Sequence, residues 1–250
     1  MYNPEDREKI RSELVALARD DPRITGAALT GSASVGREDR YSDIDLAFGV
    51  RTAADVMAVL DDRVVWLKKR YGALDHFDIT AGAWVYRVFL LPSTLQVVVA
   101  CVPESEFGPR APTFRLLFGR ANELTTERAP RVHDLVGWGW LYALHARSAI
   151  ARGLWWQGEY MVSAIRDQAI ALACIRHGLP SAYGRGADAL PREILAAFEG
   201  AIVRELTIKE LVRAMAVAVD VLVNEIRPAD PALAADLDGT LRELVTTASP

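Results

Sequence analysis

Apolar residues recur at helical spacing from the beginning of the chain. Ile10, Leu14 and Leu17 fall on one face of a segment running from Pro4 to Arg19. Asn3 is a good N-cap for it, and Pro4 suits a first turn, where its missing N–H costs nothing. The period then changes. Ile24–Thr30 is a short apolar run that ends in Gly-Ser and predicts a strand. Between Ser42 and Val50, Ile44, Leu46 and Phe48 alternate with Asp43, Asp45 and Ala47, the period of a half-buried strand. Ala53 to Tyr71 returns to helical spacing and closes at Gly72. Three β-type stretches follow, His76–Thr80, Trp84–Leu91 and Thr94–Val102, with a turn at Pro92-Ser93 between the last two. From Pro130 onward helical spacing dominates. It predicts helices near 133–153, 156–177, 191–200, 207–226 and 231–246, with breaks at Pro180, Gly184, Gly186 and Arg227-Pro228.

This order predicts the α+β class: a small mixed sheet with helices, followed by an all-α helical bundle. The change of character places the boundary in a loop within 103–130, with domains drawn as 1–110 and 111–250. A chain of 250 residues can bury roughly 70–75% of its unfolded surface and needs no staples. Cys101 and Cys174 lie far apart in apolar runs and read as buried thiols, with no Cys/His cluster of zinc type. The first residues are polar and charged, unlike a signal peptide, and no apolar run has the length of a membrane span. The expected setting is the cytoplasm. A net charge of −4 gives no general electrostatic reason to hold a polyanion, so a nucleic-acid partner is not expected.

The chemistry concentrates in Leu29-Thr30-Gly31-Ser32, a gap of ten residues, then Asp43-Ile44-Asp45-Leu46. Nucleotidyl transfer from a nucleoside triphosphate uses two divalent ions about 3.5–4 Å apart. Magnesium is commonly held by one or two carboxylates together with phosphate oxygens and water. Asp43 and Asp45, at i and i+2 on a strand, point to one face. Two adjacent like charges call for something positive between them, and metal ions supply it. Gly31 and Ser32 end one strand and open a short helix near 32–37. Its backbone N–H groups can face an anion, and Gly31 lets the backbone come close. Arg37, Arg40 and Tyr41-Ser42 lie in the gap, and Arg37 is a candidate contact to the nucleotide.

With its spacing, LTGS–ASVGREDRYS–DIDL resembles the hallmark of the DNA polymerase β-like nucleotidyltransferases: an apolar residue, Gly-Ser, a gap of this length, then Asp-apolar-Asp-apolar. The resemblance implies a nucleotidyltransferase core over roughly 1–110. The helical half resembles the helical domains of aminoglycoside and lincosamide nucleotidyltransferases. It further implies transfer of a nucleoside monophosphate, AMP from ATP or the equivalent from another NTP, to a hydroxyl of a small-molecule acceptor. Asp43 and Asp45 would hold two Mg2+ ions, and Gly31 and Ser32 the terminal phosphates. No membrane partner is expected, and a homodimer is allowed.

Relatives of that kind usually carry a third carboxylate in the middle of a later strand, serving as general base. The matching strand here is Leu95–Cys101, and Val98 stands at the expected place. Valine neither binds a metal nor takes a proton. Three readings follow: the base comes from elsewhere, with Glu159 the first candidate and Asp78 the second; the protein is a weakened nucleotide- or partner-binding relative; or the strand is aligned out of register and another residue takes the place of Val98. A protein acceptor, as in toxin–antitoxin pairs, is a further alternative. On the helix from Met161 to Ile175, Arg166 shares a face with Glu159 and Ser163, and it reads either as a triphosphate contact or as part of a salt-bridge network. Trp138, Trp140, Trp155 and Trp156 read as helix-packing core, with a pocket for a flat acceptor as the alternative.

Overall fold

The computed structural model describes residues 3–123 and 131–248. The chain divides into two compact units between Glu127 and Arg128. The expected inter-domain loop, 103–130, falls partly outside the described residues.

In the first unit, α1 (Pro4–Asp20) opens on a reciprocal cap. Asn3 Oδ1 accepts from the Asp6 N–H at 2.7 Å, and Asp6 Oδ2 accepts from the Asn3 N–H at 3.3 Å. β1 (Ile24–Thr30) leads into a single turn, α2 (Gly31–Ser34), and the chain returns along β2 (Ile44–Val50). α3 (Ala53–Tyr71) is closed by Gly72 at φ 67°. Then come β3 (Asp75–Ala81), β4 (Trp84–Leu90), β5 (Gln96–Pro103) and β6 (Phe114–Phe118). Sequence spacing had placed no strand at β6. It pairs with β1 and carries the sheet past residue 110.

The six strands lie in the order β3-β4-β5-β2-β1-β6. β2 and β5 run parallel, and the other described pairs are antiparallel. One face of the sheet presents Leu46, Phe48, Val97 and Val99 to α1 and α3, through Ile10 and Leu14 of the first helix and Leu60 and Leu67 of the second. The opposite face has a smaller cluster of Ala28, Ala47, Ala100, Trp84, Val102 and Phe107. Phe107 packs against Gly26 and Gly49, where a Cβ would meet its ring at 2.7 Å.

The second unit contains α4 (Val132–Ala151), α5 (Trp155–Arg176), α6 (Arg192–Glu199), α7 (Ile208–Ile226) and α8 (Pro231–Thr246). Its core is built around small residues, which let helices approach closely. At Gly139 of α4 an added Cβ would meet Leu222 Cδ1 of α7 at 2.8 Å, and Ala143, Ala146 and Ile150 continue the buried stripe. The tryptophans expected in the core are therefore on the other side. Trp138 is 52% exposed and Trp156 78%, with Trp140 and Trp155 also exposed. Among the described residues no helix is long and apolar enough to cross a membrane.

Candidate functional site

Thr30 is extended, and Gly31 then takes φ +61°, a conformation that only glycine adopts without strain. This bend starts α2. Ser34 Oγ donates to the Gly31 carbonyl at 2.8 Å, and the Arg37 N–H donates to the Ser32 carbonyl at 3.0 Å. α2 ends at Ser34, shorter than the helix expected near 32–37, because the chain turns again at Gly36, φ +66°. One turn has little macrodipole, so its capacity for anions rests on the N–H groups aimed outward at its start. Arg37 is exposed.

Gly31 also carries the contact that joins the two parts of the motif. A Cβ built there would meet Asp45 Cγ at 3.0 Å and run into Oδ2. The Asp45 carboxylate thus rests against the Gly31 backbone, in space that any side chain at 31 would fill. Asp45 reaches that position by strand alternation: Ile44 and Leu46 on either side are fully buried in the helix-covered face, so Asp45 takes the opposite one.

Asp43 precedes the first residue of β2 and is half-buried. Gln96 Nε2, at the head of β5, donates to Asp43 Oδ2 at 2.9 Å. The loop before Asp43 is fixed from α1 by two arginines that sequence reading left unassigned. Buried Arg7 donates from Nη2 to the Asp39 carbonyl at 2.6 Å, and Arg11 pairs with Glu38 at 2.9 Å. Inside the loop the Tyr41 N–H donates to Asp39 Oδ1 at 2.8 Å, and this donation, helped by Ser42, holds the Asp39 carboxyl below its ordinary range. A hollow of about 240 Å³ opens beside Asp43, between Arg7 and Arg40 on one side and Ser93 and Thr94 on the other.

In the parallel β2–β5 ladder Asp45 stands beside Val98. A slip of one residue would bring Val97 or Val99 to that position, and both are fully buried on the helix-covered face. The face that carries Asp45 therefore holds Gln96 and Val98 on β5.

Asp78 lies elsewhere. Both its oxygens accept from Arg87 at 2.7 Å, and Arg87 also reaches Asp61 of α3 at 2.6 Å. Arg87 is the register partner of buried Val99, so Asp78 belongs to the helix-covered face, away from Asp45. The Arg87 hydrogen bonds hold its carboxyl below the ordinary range, as befits a structural ion pair and not a base. Glu159 and Arg166 belong to α5 of the helical unit. Glu159 Oε1 accepts from Ser163 Oγ at 2.8 Å, and Arg166 donates from Nη2 to its neighbour Asp167 at 2.8 Å.

Among the described residues no group of three or more His, Cys, Asp or Glu is placed to hold a metal ion. The donor set is two carboxylates beside a backbone cradle. That suits a magnesium ion that arrives with a substrate's phosphates and shares their oxygens, more than one caged by protein alone.

A scan against protein-family models and a search of curated proteins gave no match. Among solved structures, the chain is similar to an aminoglycoside 6-adenyltransferase from Bacillus subtilis. The identity is 12% over 99% of each chain, and the TM-score is 0.41.

Proposed function

We propose that the first unit binds a nucleoside triphosphate with magnesium and moves its nucleoside monophosphate, AMP from ATP in the simplest case, to a hydroxyl of a small acceptor. The observation that carries this reading is the Asp45 carboxylate resting on the Gly31 backbone, with Asp43 at the head of the same strand. The arrangement places negative ligands for a cation against N–H donors for a phosphate.

In the reaction the acceptor oxygen bonds to the α-phosphorus, the bond from that phosphorus to the bridging oxygen breaks, and pyrophosphate leaves. Asp43 and Asp45 would hold magnesium, which when bound neutralises charge on the triphosphate and on the departing pyrophosphate. The N–H groups at Gly31 and Ser32, with the Ser32 hydroxyl, would orient the terminal phosphates. Gln96 steadies Asp43 through the 2.9 Å hydrogen bond. Val98 offers no proton acceptor, and Glu159 is our candidate for that role.

Calorimetric titration of Mg-ATP into the native protein and into the Asp43→Asn/Asp45→Asn double variant tests the site. Magnesium-dependent binding by the native protein, lost in the double variant, is the expected result. A folded native protein that binds no Mg-ATP overturns the reading. Glu159→Gln in an active protein is expected to cost about 10²–10⁴-fold in rate.

Val98 favours a second reading, a nucleotide-binding protein with weak turnover. It predicts tight Mg-ATP binding with negligible pyrophosphate release, and a large gain of release in Val98→Asp.

A further inference from the structure

Behind Asp45, on the same face of the sheet, lies a cavity of about 200 Å³ that the chemistry above does not use. Its floor is made of Ala47, two positions beyond Asp45 on β2, and Ala100, two positions beyond Val98 on β5; both are buried. Alanine here keeps the floor low, where valine or leucine would fill the space. The walls are aromatic. Trp84 and Tyr86 of β4 stack with centroids 5.8 Å apart and planes 20° apart, and Phe114 of β6 closes the other side. Arg110 lies over the Trp84 ring at 5.8 Å and donates to the Tyr86 hydroxyl at 3.0 Å, a polar edge on an otherwise apolar chamber. Thr30, the residue before Gly31, also lines it.

Size and lining together select a ligand. An apolar cavity of about 150 Å³ holds one benzene ring, so this volume takes a ring system and not a whole cofactor. Aromatic walls favour a flat π-face, and the guanidinium at the edge favours ring nitrogens or oxygens over an alkyl chain.

We propose that this chamber receives the planar aromatic ring of a substrate of the Gly31/Asp45 site. The inference rests on the nucleotidyl-transfer reading for the identity of that substrate. The ring can come from the nucleotide, as its base, or from the acceptor, and the two sources separate in one set of titrations. Two variants alter the chamber. Trp84→Leu removes the stacking wall, and Ala111→Trp blocks the mouth from the exposed rim, outside the core. The native protein and both variants are titrated with Mg-ATP, with Mg-tripolyphosphate, and with indole after loading with Mg-ATP.

If the base occupies the chamber, both variants bind Mg-ATP at least ten-fold more weakly and Mg-tripolyphosphate unchanged. If the acceptor ring occupies it, Mg-ATP affinity is unchanged, and the indole binding seen in the native protein is lost. The proposal is overturned if folded Ala111→Trp matches the native protein with all three probes. Failure of the nucleotidyl-transfer reading looks different: the native protein then binds neither Mg-ATP nor Mg-tripolyphosphate, whatever stands at 84 or 111.

Discussion

Gly31 and Gly36 allow a controlled experiment on the joint between backbone and carboxylate. Both sit at positive φ, 61° and 66°. An alanine in that region costs about 1–2 kcal/mol in backbone strain at either position. At Gly36 a new Cβ meets nothing within 4 Å, so the cost of Gly36→Ala stops there. At Gly31 it meets Asp45, with Cγ at 3.0 Å and Oδ2 closer than real carbon atoms approach. Either the carboxylate swings away or the α2 turn opens, and both movements are on the order of 1 Å. Misplacing a charged ligand or the N–H donors beside it forfeits about 1.5–3 kcal/mol. Gly31→Ala should thus weaken Mg-ATP binding by about 10–100-fold. Gly36→Ala should leave the affinity within about two-fold, inside the few tenths of a kcal/mol that an independent site contributes. Both should lower the melting temperature by a few degrees. Calorimetry and thermal melts followed by circular dichroism read the two quantities separately. Equal affinities for the two variants would refute the claim that the Gly31 backbone and the Asp45 carboxylate form one binding unit.

Three further outcomes are expected. Asp78→Asn should destabilise the first unit by about 1–3 kcal/mol at neutral pH, since it takes the two-oxygen charged partner from the buried Arg87 guanidinium and leaves it Asp61 as its carboxylate. Arg87 lowers the Asp78 pKa, so this contribution is complete above about pH 4 and disappears as pH falls through the lowered value. Urea unfolding as a function of pH should accordingly show a shallower acid limb in the variant, and an unchanged limb would mean the pair contributes nothing. Val98→Asp adds a carboxylate beside Asp45, so it should lower the melting temperature without magnesium and recover it when magnesium is added; a magnesium-insensitive melt would place position 98 outside the site. Gly49→Ala crowds the Phe107 ring and should cost about 1–3 kcal/mol, part of which Phe107→Leu returns; a double-mutant cycle with no coupling would contradict the contact.

Most of the fold was legible in the sequence because its periods are clean. Ile10-Leu14 at helical spacing and Ile44-Leu46-Phe48 in alternation both name a buried face before any partner is known. β6 was not legible. Phe114-Arg115-Leu116-Leu117-Phe118 neither alternates nor spaces helically, and pairing with β1 alone makes it a strand. The tryptophans misled for a different reason. Size argued for burial, whereas α4 packs through Gly139, Ala143 and Ala146, and a tight interface excludes large rings. The candidate site was legible as a motif, Gly-Ser and Asp-x-Asp at a fixed gap. The arrangement around it was not, because Arg7, Gln96 and Trp84 arrive from elements distant in sequence. Alanines at alternate positions of two adjacent strands, Ala47 and Ala100, were the available signal for the chamber.

The parallel pairing of β2 with β5 has a consequence for how the chain is born. Val98 follows Asp45 by 53 positions, with α3 and the β3–β4 hairpin between them. At ribosomal rates of about 5–20 residues per second, β2 waits roughly 3–10 seconds for the strand that will cover its outer edge. Meanwhile Ile44–Val50 is an apolar edge, open to any neighbouring nascent chain. Asp43 and Asp45 stand at the entrance to that edge, and charge in such a place resists pairing between chains. Two residues proposed to hold magnesium in the finished protein would first serve as gatekeepers, and neutralising them should lower soluble yield as well as binding.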